Sequence, residues 1–285
     1  MISTSKITVH YTHQHPEFDD QRMHTYTLNL MVHGSTLSVS IYDLSGKIMA
    51  LKELKSEVSI VPENFKSCIQ AEPLLSSRFA AVVWVSTHPR FLLCPAEYLR
   101  YDEAENLFAP LRDAWDVPGI LHQESMEGMN VVVLHEIESE WQEVLSRLFT
   151  ALQFKHVISR TLYQINRSHQ TTQPVVTIGI VAMDHHFVLH ILNRTGPVLS
   201  QIFKAETAED YLYYSLWACK QLNIAPEHVS MNLSGQFHTP TPVMEMLKPY
   251  FPSITYLQGI NQLPWFHPET RVPVLHYLAL LPELA

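Results

Sequence analysis

The turn formed by Gly34, Ser35 and Thr36 has residue types that can hold a phosphate group. It lies within MVHGSTLSVSIYDLSGK (31–47), between two stretches that alternate apolar and polar residues. A glycine lets backbone amides approach an anion, and neighbouring hydroxyls can donate hydrogen bonds to its oxygens. The same three residues also suit a hairpin turn that binds nothing. Both interpretations are open at this point.

Histidines are a second source of possible chemistry, because the chain contains 17 of them. They include two clusters, which are His10, His13 and His15, and Asp184 with His185 and His186. Imidazole and carboxylate groups together suit zinc or a similar ion. Neighbouring residues of a predicted strand point to opposite faces, which separates positions 185 and 186, and we expect the N-terminal cluster to lie in a mobile polar stretch. We therefore predict no metal site and interpret these side chains as ordinary polar histidines.

Other catalytic patterns are not indicated. Ser234 precedes Gly235, but no Gly-x-Ser-x-Gly motif surrounds it, which argues against a serine hydrolase. We interpret Glu136, Glu138 and Glu140 as carboxylates at the start of a helix, where they favour the helix dipole.

Composition limits the possible partners. A net charge of −9, with 19 Lys and Arg among 285 residues, argues against binding to nucleic acid or anionic lipid. Three scattered cysteines predict reduced thiols, and no apolar stretch is long enough to span a bilayer. We therefore expect a soluble, cytoplasmic protein without membrane insertion.

The chain contains one internal repeat. Residues 28–48 align without a gap with residues 178–198, and both stretches alternate with a period of two. The turns Asp43–Gly46 and Asn193–Gly196 match chemically, each with a glycine placed for a positive φ. This pattern predicts a three-stranded meander that occurs twice, and it indicates an internal duplication.

The elements after each meander also correspond. In the second half, Thr207 and Asp210 form a capping box that predicts a helix, which Asn223 and Pro226 end. Further elements are predicted after it: a strand at 228–235, a helix near 241–250 and a strand at 254–257.

In the first half, Pro62 begins a short helix, and strands are predicted at 79–86, 91–95 and 130–135. A capping box of Ser139 and Gln142 predicts a strong helix whose apolar face extends to Leu152. The polar stretch at 166–174 then predicts the boundary between a first domain at 1–168 and a second at 169–285.

This order of elements resembles the actin, sugar-kinase and heat-shock chaperone ATPase superfold. The stretches WDVPG (115–119) and HQES (122–125), followed by VVVLHE and a helix, are similar to a family of uncharacterised Bacteroidetes proteins with a degenerate actin-like fold. The layout of the first domain also resembles the pilus assembly protein PilM and the type II secretion protein L. The resemblance implies an α/β fold of duplicated actin-like (ribonuclease H-like) domains, each a mixed sheet with a β-meander flanked by helices.

The resemblance also implies where nucleotide motifs should lie. The first phosphate motif falls on residues 32–36 and keeps the glycine and hydroxyls, but Val32 replaces the aspartate. The second falls on residues 181–186, where Val181 replaces the aspartate and no glycine remains. The adenosine motif falls on residues 234–236 and keeps only Gly235. Loss of both metal-linked carboxylates argues against phosphoryl transfer.

We therefore predict a non-catalytic actin-like protein that acts as a cytoplasmic binding or assembly scaffold for an unknown protein partner, with no cofactor. The apolar segments 263–268 and 272–285 are either core elements or a partner-docking surface. The alternative is a nucleotide-binding ATPase or switch that uses ATP and Mg, with Gly34, Ser35, Thr36, Asp184 and Gly235 at the nucleotide. A small-molecule sensor is a third possibility, and any roles of His33, His185 and His186 stay open.

Overall fold

A computed structural model of the chain describes residues 7–99, 103–112, 119–172, 175–235, 240–256 and 278–283. The chain divides into two compact units. The first unit comprises Met1–Met126, Val131–Val157 and Ala279–Ala285, and the second comprises Glu127–Asn130 and Ile158–Leu278. No helix in these described ranges is long and apolar enough to cross a membrane.

In the part of the chain that the structure describes, the first unit contains two sheets. Its strands are β1 (Ile7–Gln14), β2 (Thr27–His33), β3 (Thr36–Tyr42), β4 (Ile48–Ser56), β5 (Ala81–Ser86), β6 (Phe91–Pro95), β7 (Ile120–Met126), β8 (Val131–Ile137) and β9 (Leu152–His156). Its helices are α1 (Pro62–Ala71), α2 (Ala104–Phe108) and α3 (Ser139–Leu148). A mixed sheet has the order β1-β4-β3-β2-β5-β9, and a smaller antiparallel sheet has the order β6-β8-β7. In the mixed sheet, β5 is parallel to both β2 and β9.

The two faces of the mixed sheet are covered differently. One face packs its apolar residues, such as Leu30 and Trp84, against Phe65 of α1 and Leu145 of α3. The opposite face has polar residues, whose groups need partners when they are buried. The Asn29 amide and the Ser40 hydroxyl donate hydrogen bonds of 2.8 and 2.7 Å to the carbonyl oxygen of Leu280. The described C-terminal residues therefore cover this second face.

The second unit is built on one five-stranded sheet. Its strands are β10 (Val176–Met183), β11 (His186–Asn193), β12 (Gly196–Lys204), β13 (Val229–Gly235) and β14 (Ser253–Tyr256). Its helices are α4 (Val157–Thr172), which begins at the end of the first unit, α5 (Ala208–Gln221) and α6 (Pro240–Leu247). The sheet order is β12-β11-β10-β13-β14. Strand β11 is antiparallel to both β10 and β12, and β13 is parallel to both β10 and β14.

Helix α4 contacts a polar face of this sheet. His190 of β11 is completely buried and lies 2.8 Å from the hydroxyls of both Thr161 on α4 and Ser200 on β12. A Cβ at Gly179 would lie 2.7 Å from the side chain of Ile165, so helix and strand are in close contact. The other face of the sheet is apolar and packs against α5 and α6. The second unit is therefore a sheet between helices, with one polar interface and one apolar interface.

The predicted α/β class is confirmed, with a mixed sheet and a β-meander in each unit. The meanders are β2–β3–β4 and β10–β11–β12, and their glycines Gly46 and Gly196 have φ values of +77° and +127°. The expected capping box is present in α5, where the Asp210 carboxylate accepts hydrogen bonds from the Thr207 backbone and hydroxyl. That these two meanders arose by duplication stays a prediction.

Three expectations about local structure are wrong. Glu138, without a side-chain cap, precedes α3, and Gln142 lies 3.3 Å from His122 instead of forming a capping box with Ser139. Helix α3 ends at Leu148, so Leu152 begins β9 and does not continue the helix. His10 and His13 lie in β1, which pairs with β4, so residues 7–14 are not a mobile stretch.

The polar stretch 166–174 is helical as far as Thr172. Its polar side chains are buried against polar groups of the second sheet: His169 lies 2.8 Å from the Thr177 hydroxyl, and Asn232 donates to Ser168 over 3.3 Å. Because both sides of this interface are polar, hydropathy gives no helical signal there. The predicted domain boundary at residue 168 falls inside α4, and the two-domain division at that residue stays a prediction.

Candidate functional site

The first hairpin turns at Gly34 and Ser35, between β2 and β3. Gly34 has a φ of +58°, and a Cβ there would meet no atom within 4 Å. Backbone conformation, not crowding, therefore favours glycine at this position. The carbonyl oxygens of Gly34 and Ser35 accept hydrogen bonds of 2.8 and 2.9 Å from the backbone N–H groups of Ile60 and Ser56. These contacts fix the turn without any ligand.

A cavity of about 250 Å³ lies in the first unit beside this turn. Five parts of the fold line it: β2 and its turn, the segment before α1, the end of β5 and the loop after it, the end of β8, and the start of α3. The lining residues include Val32, Gly34, Trp84, His88, Glu136, Glu138 and Trp141. The cavity thus has an aromatic side and an acidic side, and we name it the Glu136 cavity.

Two tryptophans form the aromatic side. The ring centroids of Trp84 and Trp141 are 4.7 Å apart, with a tilt of 33° between the ring planes. Phe65 meets both rings edge-on, at 5.5 and 5.3 Å. Aromatic pairs of this kind contribute about 0.5–1.5 kcal/mol beyond the area that they bury. The indole rings are therefore held in position by packing and do not depend on a ligand.

Glu136 is the buried acid of the cavity, with only 2% of its surface exposed. The Arg112 Nε donates a hydrogen bond of 2.5 Å to Oε1 of Glu136, and Arg112 also pairs with Glu105. The second oxygen, Oε2, lies 4.0 Å from Nε of Arg90 and accepts no hydrogen bond from any described residue. One carboxylate oxygen is thus satisfied, and the other can accept a further donor.

Glu138 and His88 add a second polar pair. The His88 Nε2 lies 3.7 Å from a carboxylate oxygen of Glu138, whose side chain is about half exposed. Burial, followed by the nearby Arg90 charge, lowers the pKa of His88. The imidazole is therefore neutral near pH 7, and the charge of Glu138 is not matched by an imidazolium.

The second hairpin, in the second unit, has the same two-residue form. Asp184 occupies the first turn position with a φ of +24°, in the region where Gly34 also lies. His185 is the second turn residue, with Nε2 3.7 Å from the Asp184 carboxylate, and His186 begins β11. The expectation that His185 and His186 are neighbours on a strand is therefore wrong. Val181, at the expected acid position, is buried.

Gly235 ends β13 and is explained by packing. It pairs with Ala182 across the parallel β10–β13 ladder and has a φ of +95°. A Cβ at this position would lie 2.1 Å from the carbonyl oxygen of Ala182. Only glycine fits without displacing backbone, so its presence has a structural cause independent of any base. Residue 236 of the expected adenosine motif lies outside the described residues.

The five residues expected at a nucleotide fall in different units. Gly34, Ser35 and Thr36 lie at the first hairpin, whereas Asp184 and Gly235 lie at one end of the second sheet. Their role at a nucleotide stays a prediction. Among the residues that the structure describes, no group of three or more His, Cys, Asp or Glu side chains is arranged to hold a metal ion.

Sequence reasoning missed the acidic side of the cavity. Glu136 was expected at the start of a helix, but it lies in β8 and pairs with Arg112, which is 24 residues away in sequence. The mainly apolar stretch VVVLHEI, in which Glu136 follows His135, is the one signal for burial, because a carboxylate in such a strand requires a partner. Nothing in the sequence around Trp84 and Trp141 indicates that these two residues line the same cavity.

A second buried polar cluster lies elsewhere in the first unit. Oε1 of Glu124 accepts a hydrogen bond of 2.6 Å from the backbone N–H of His156 and lies 2.9 Å from Nε2 of His135. The rings of His135 and His156 are 5.1 Å apart. Burial lowers the pKa of His156 to about 3, so its imidazole is neutral at pH 7. The His156 Nε2 also lies 2.8 Å from the His88 carbonyl oxygen, so this cluster connects β7, β8 and β9 with the loop after β5.

Comparisons with known proteins agree with this architecture. The sequence profile of the family described as "Protein of unknown function (DUF3822)" matches residues 15–254. A search of curated proteins gives no match. The family match covers most of the chain, and so do the matches to two solved structures.

Two solved structures are similar over nearly their whole length. A Bacteroides thetaiotaomicron protein described as having an actin-like ATPase fold and unknown function superposes with a TM-score of 0.76 at 19% identity, covering 92% of this chain and 98% of that chain. A PilM–PilN type IV pilus biogenesis complex matches with a TM-score of 0.62 at 11% identity, covering 89% and 96%. The expected resemblance to actin-like proteins is thus confirmed at the level of the fold.

Proposed function

The chain belongs to the family described as "Protein of unknown function (DUF3822)" and has the actin-like ATPase fold, and we propose that it acts as a non-catalytic binding or assembly scaffold. The strongest support is that buried valines, Val32 and Val181, stand where the resemblance to the superfold implies the two hairpin carboxylates. Phosphoryl transfer depends on a metal ion held by such groups and on positioned donors. Gly235 supports the proposal further, because its contact with Ala182 explains it without a nucleotide.

The partner in this proposal is another protein. The similar PilM–PilN structure is a complex of two proteins, which makes assembly a reasonable use for this fold. Fold alone does not give function, so this support is analogy. We place the protein in the cytoplasm because Cys68, Cys94 and Cys219 are all unpaired and buried, as in proteins of a reducing compartment. We also propose that the two meanders arose by duplication.

One observation favours nucleotide binding as the second candidate. Gly34 has open space around it and borders the Glu136 cavity. In this alternative, Ser35, Thr36 and Asp184 contact phosphate and magnesium, and Gly235 borders the base. The carbonyl oxygens of the first turn are already bonded within the protein, but its hydroxyls are partly exposed.

Thermal unfolding with and without Mg-ATP separates the two candidates. A ligand that binds only the folded state adds about 2.7 kcal/mol of stability at a hundredfold excess over its dissociation constant. The scaffold proposal predicts an unchanged unfolding midpoint and no release of phosphate. The proposal is contradicted if Mg-ATP raises the midpoint and both Thr36→Val and Asp184→Asn reduce that rise. Thr195→Val, in the turn between β11 and β12, is the control and should leave the rise unchanged.

A further inference from the structure

We propose that the Glu136 cavity binds a guanidinium group, carried by an arginine side chain of a protein partner. This inference rests on the proposed binding function and names the chemistry of the partner. It follows from three properties of the cavity, which are an aromatic wall, a buried acceptor and an uncompensated surface carboxylate.

The aromatic wall suits a flat cation. A guanidinium stacks on indole faces through cation–π attraction and surface contact, and tryptophan is the strongest partner for this interaction. Trp84 and Trp141 both line the cavity, and Phe65 holds both rings edge-on. Because the wall exists before binding, little side-chain freedom is lost when a ligand enters.

The buried acceptor is Oε2 of Glu136. Its partner oxygen is occupied by Arg112, whereas Oε2 accepts no hydrogen bond from the described residues. A buried carboxylate oxygen in this state is unfavourable, and a donor from a ligand relieves that cost. Guanidinium provides five N–H donors in a fixed plane, so it can stack and donate at the same time.

Glu138 supplies the charge that selects a cation. Arg112 and Arg90 lie next to Glu136 and offset its charge. Among the described residues, His88 is the one basic side chain within 4.0 Å of the Glu138 carboxylate, and burial lowers the pKa of that histidine, so the imidazole is neutral near pH 7. No Lys or Arg is among the described residues that line the cavity. The Glu138 carboxylate therefore has no cation to pair with among the described residues that line the cavity, and a cationic ligand would provide one.

Hydration favours a side chain over the free amino acid. Free arginine carries an α-carboxylate and an α-ammonium, and both charged groups lose hydration when the guanidinium enters the cavity and brings them against the protein. An arginine within a peptide has neutral amides at those positions. A protein segment is therefore the better source of the guanidinium.

Calorimetric titration of the full chain with N-acetyl-arginine amide tests the proposal. We expect saturable binding that is weaker for N-acetyl-citrulline amide, a neutral isostere, and weaker for N-acetyl-lysine amide, which cannot stack as a plane. Free arginine should bind more weakly than the blocked form, and the opposite order would overturn the assignment to a protein partner.

Two substitutions complete the test. Glu138→Gln should weaken binding of N-acetyl-arginine amide by about fivefold, the size expected for a partly exposed ion pair. Glu140→Gln is the matched control, because Glu140 is exposed in the first turn of α3, two residues from Glu138, and does not line the cavity. Trp141→Phe should also weaken binding of N-acetyl-arginine amide. The melting temperature of each variant shows whether it is folded.

Equal binding of the arginine and citrulline compounds, or equal effects of the two glutamate substitutions, would overturn the inference. Such a failure leaves the scaffold proposal intact, because that proposal is tested with Mg-ATP. Hydrolysis of Mg-ATP would overturn the scaffold proposal whatever the arginine compounds do.

Discussion

The Nε2 atom of His135 lies 2.9 Å from Oε1 of Glu124, and both side chains are buried in the first unit. The same oxygen accepts the backbone N–H of His156, and the Lys155 Nζ lies 3.4 Å from the other oxygen. Glu124 is on β7, at the edge of the small sheet, whereas residues 155 and 156 are on β9 of the large sheet. The carboxylate therefore connects the two sheets of the first unit.

Glu124→Gln should destabilise the protein by about 3 kcal/mol, because removing one member of a buried charged cluster leaves the other groups uncompensated. Urea denaturation of the purified variant measures this change in the free energy of unfolding. Glu127→Gln is the control, since Glu127 is exposed, and it should change stability by less than about 0.5 kcal/mol. Equal stability of the two variants would show that the cluster does not connect the sheets energetically.

The two glycines expected at a nucleotide should respond differently to substitution. Gly235→Ala places a methyl group 2.1 Å from the Ala182 carbonyl oxygen and should cost more than about 3 kcal/mol, since backbone must move. In Gly34→Ala the added methyl group has no atom within 4 Å, so only the positive φ is unfavourable. This variant should lose about 1–2 kcal/mol of stability. Denaturant unfolding of both variants measures the difference. If Gly34→Ala proves the more damaging, crowding is not what retains glycine at position 235.

Much of the fold was predictable because its signals are local. The period-two alternation of residues 28–48 and 178–198 gave both meanders, and the Thr207–Asp210 pair marked the start of α5. Strand β1 was not predicted, because most of its residues are polar and its pairing with β4 is long-range. Helix α4 was not predicted, and in its second half hydropathy gives no helical signal because the buried residues are polar on both sides of the interface.

The candidate site was much less predictable. The turn at Gly34 is visible in the sequence, since glycine with hydroxyl neighbours between two strands is a local pattern. The Glu136 cavity depends on contacts between Trp84, Glu136 and Trp141, which lie in three separate elements. Only tertiary packing brings them together, so neither spacing nor composition indicates them.

The last prediction concerns pH and His190. Burial lowers the pKa of His190 to about 3, whereas a histidine in an unfolded chain titrates near 6.5. Between these values the unfolded chain binds a proton that the folded chain does not. This contribution to stability is therefore full above about pH 6.5 and is lost as the pH falls toward 3, at up to about 1.4 kcal/mol per pH unit.

Urea denaturation from pH 7 to pH 4 measures this dependence in the wild type and in His190→Gln, which keeps polar groups near Thr161 and Ser200. Other histidines titrate in the same range, and burial also lowers the pKa of His156 to about 3, so the difference between the two proteins is the informative quantity. The variant should be less stable at pH 7, and the gap should narrow as the pH falls. His228→Gln, at an exposed position, should keep the wild-type slope. A gap that stays constant with pH would mean that His190 binds its proton equally well in the folded and unfolded chains.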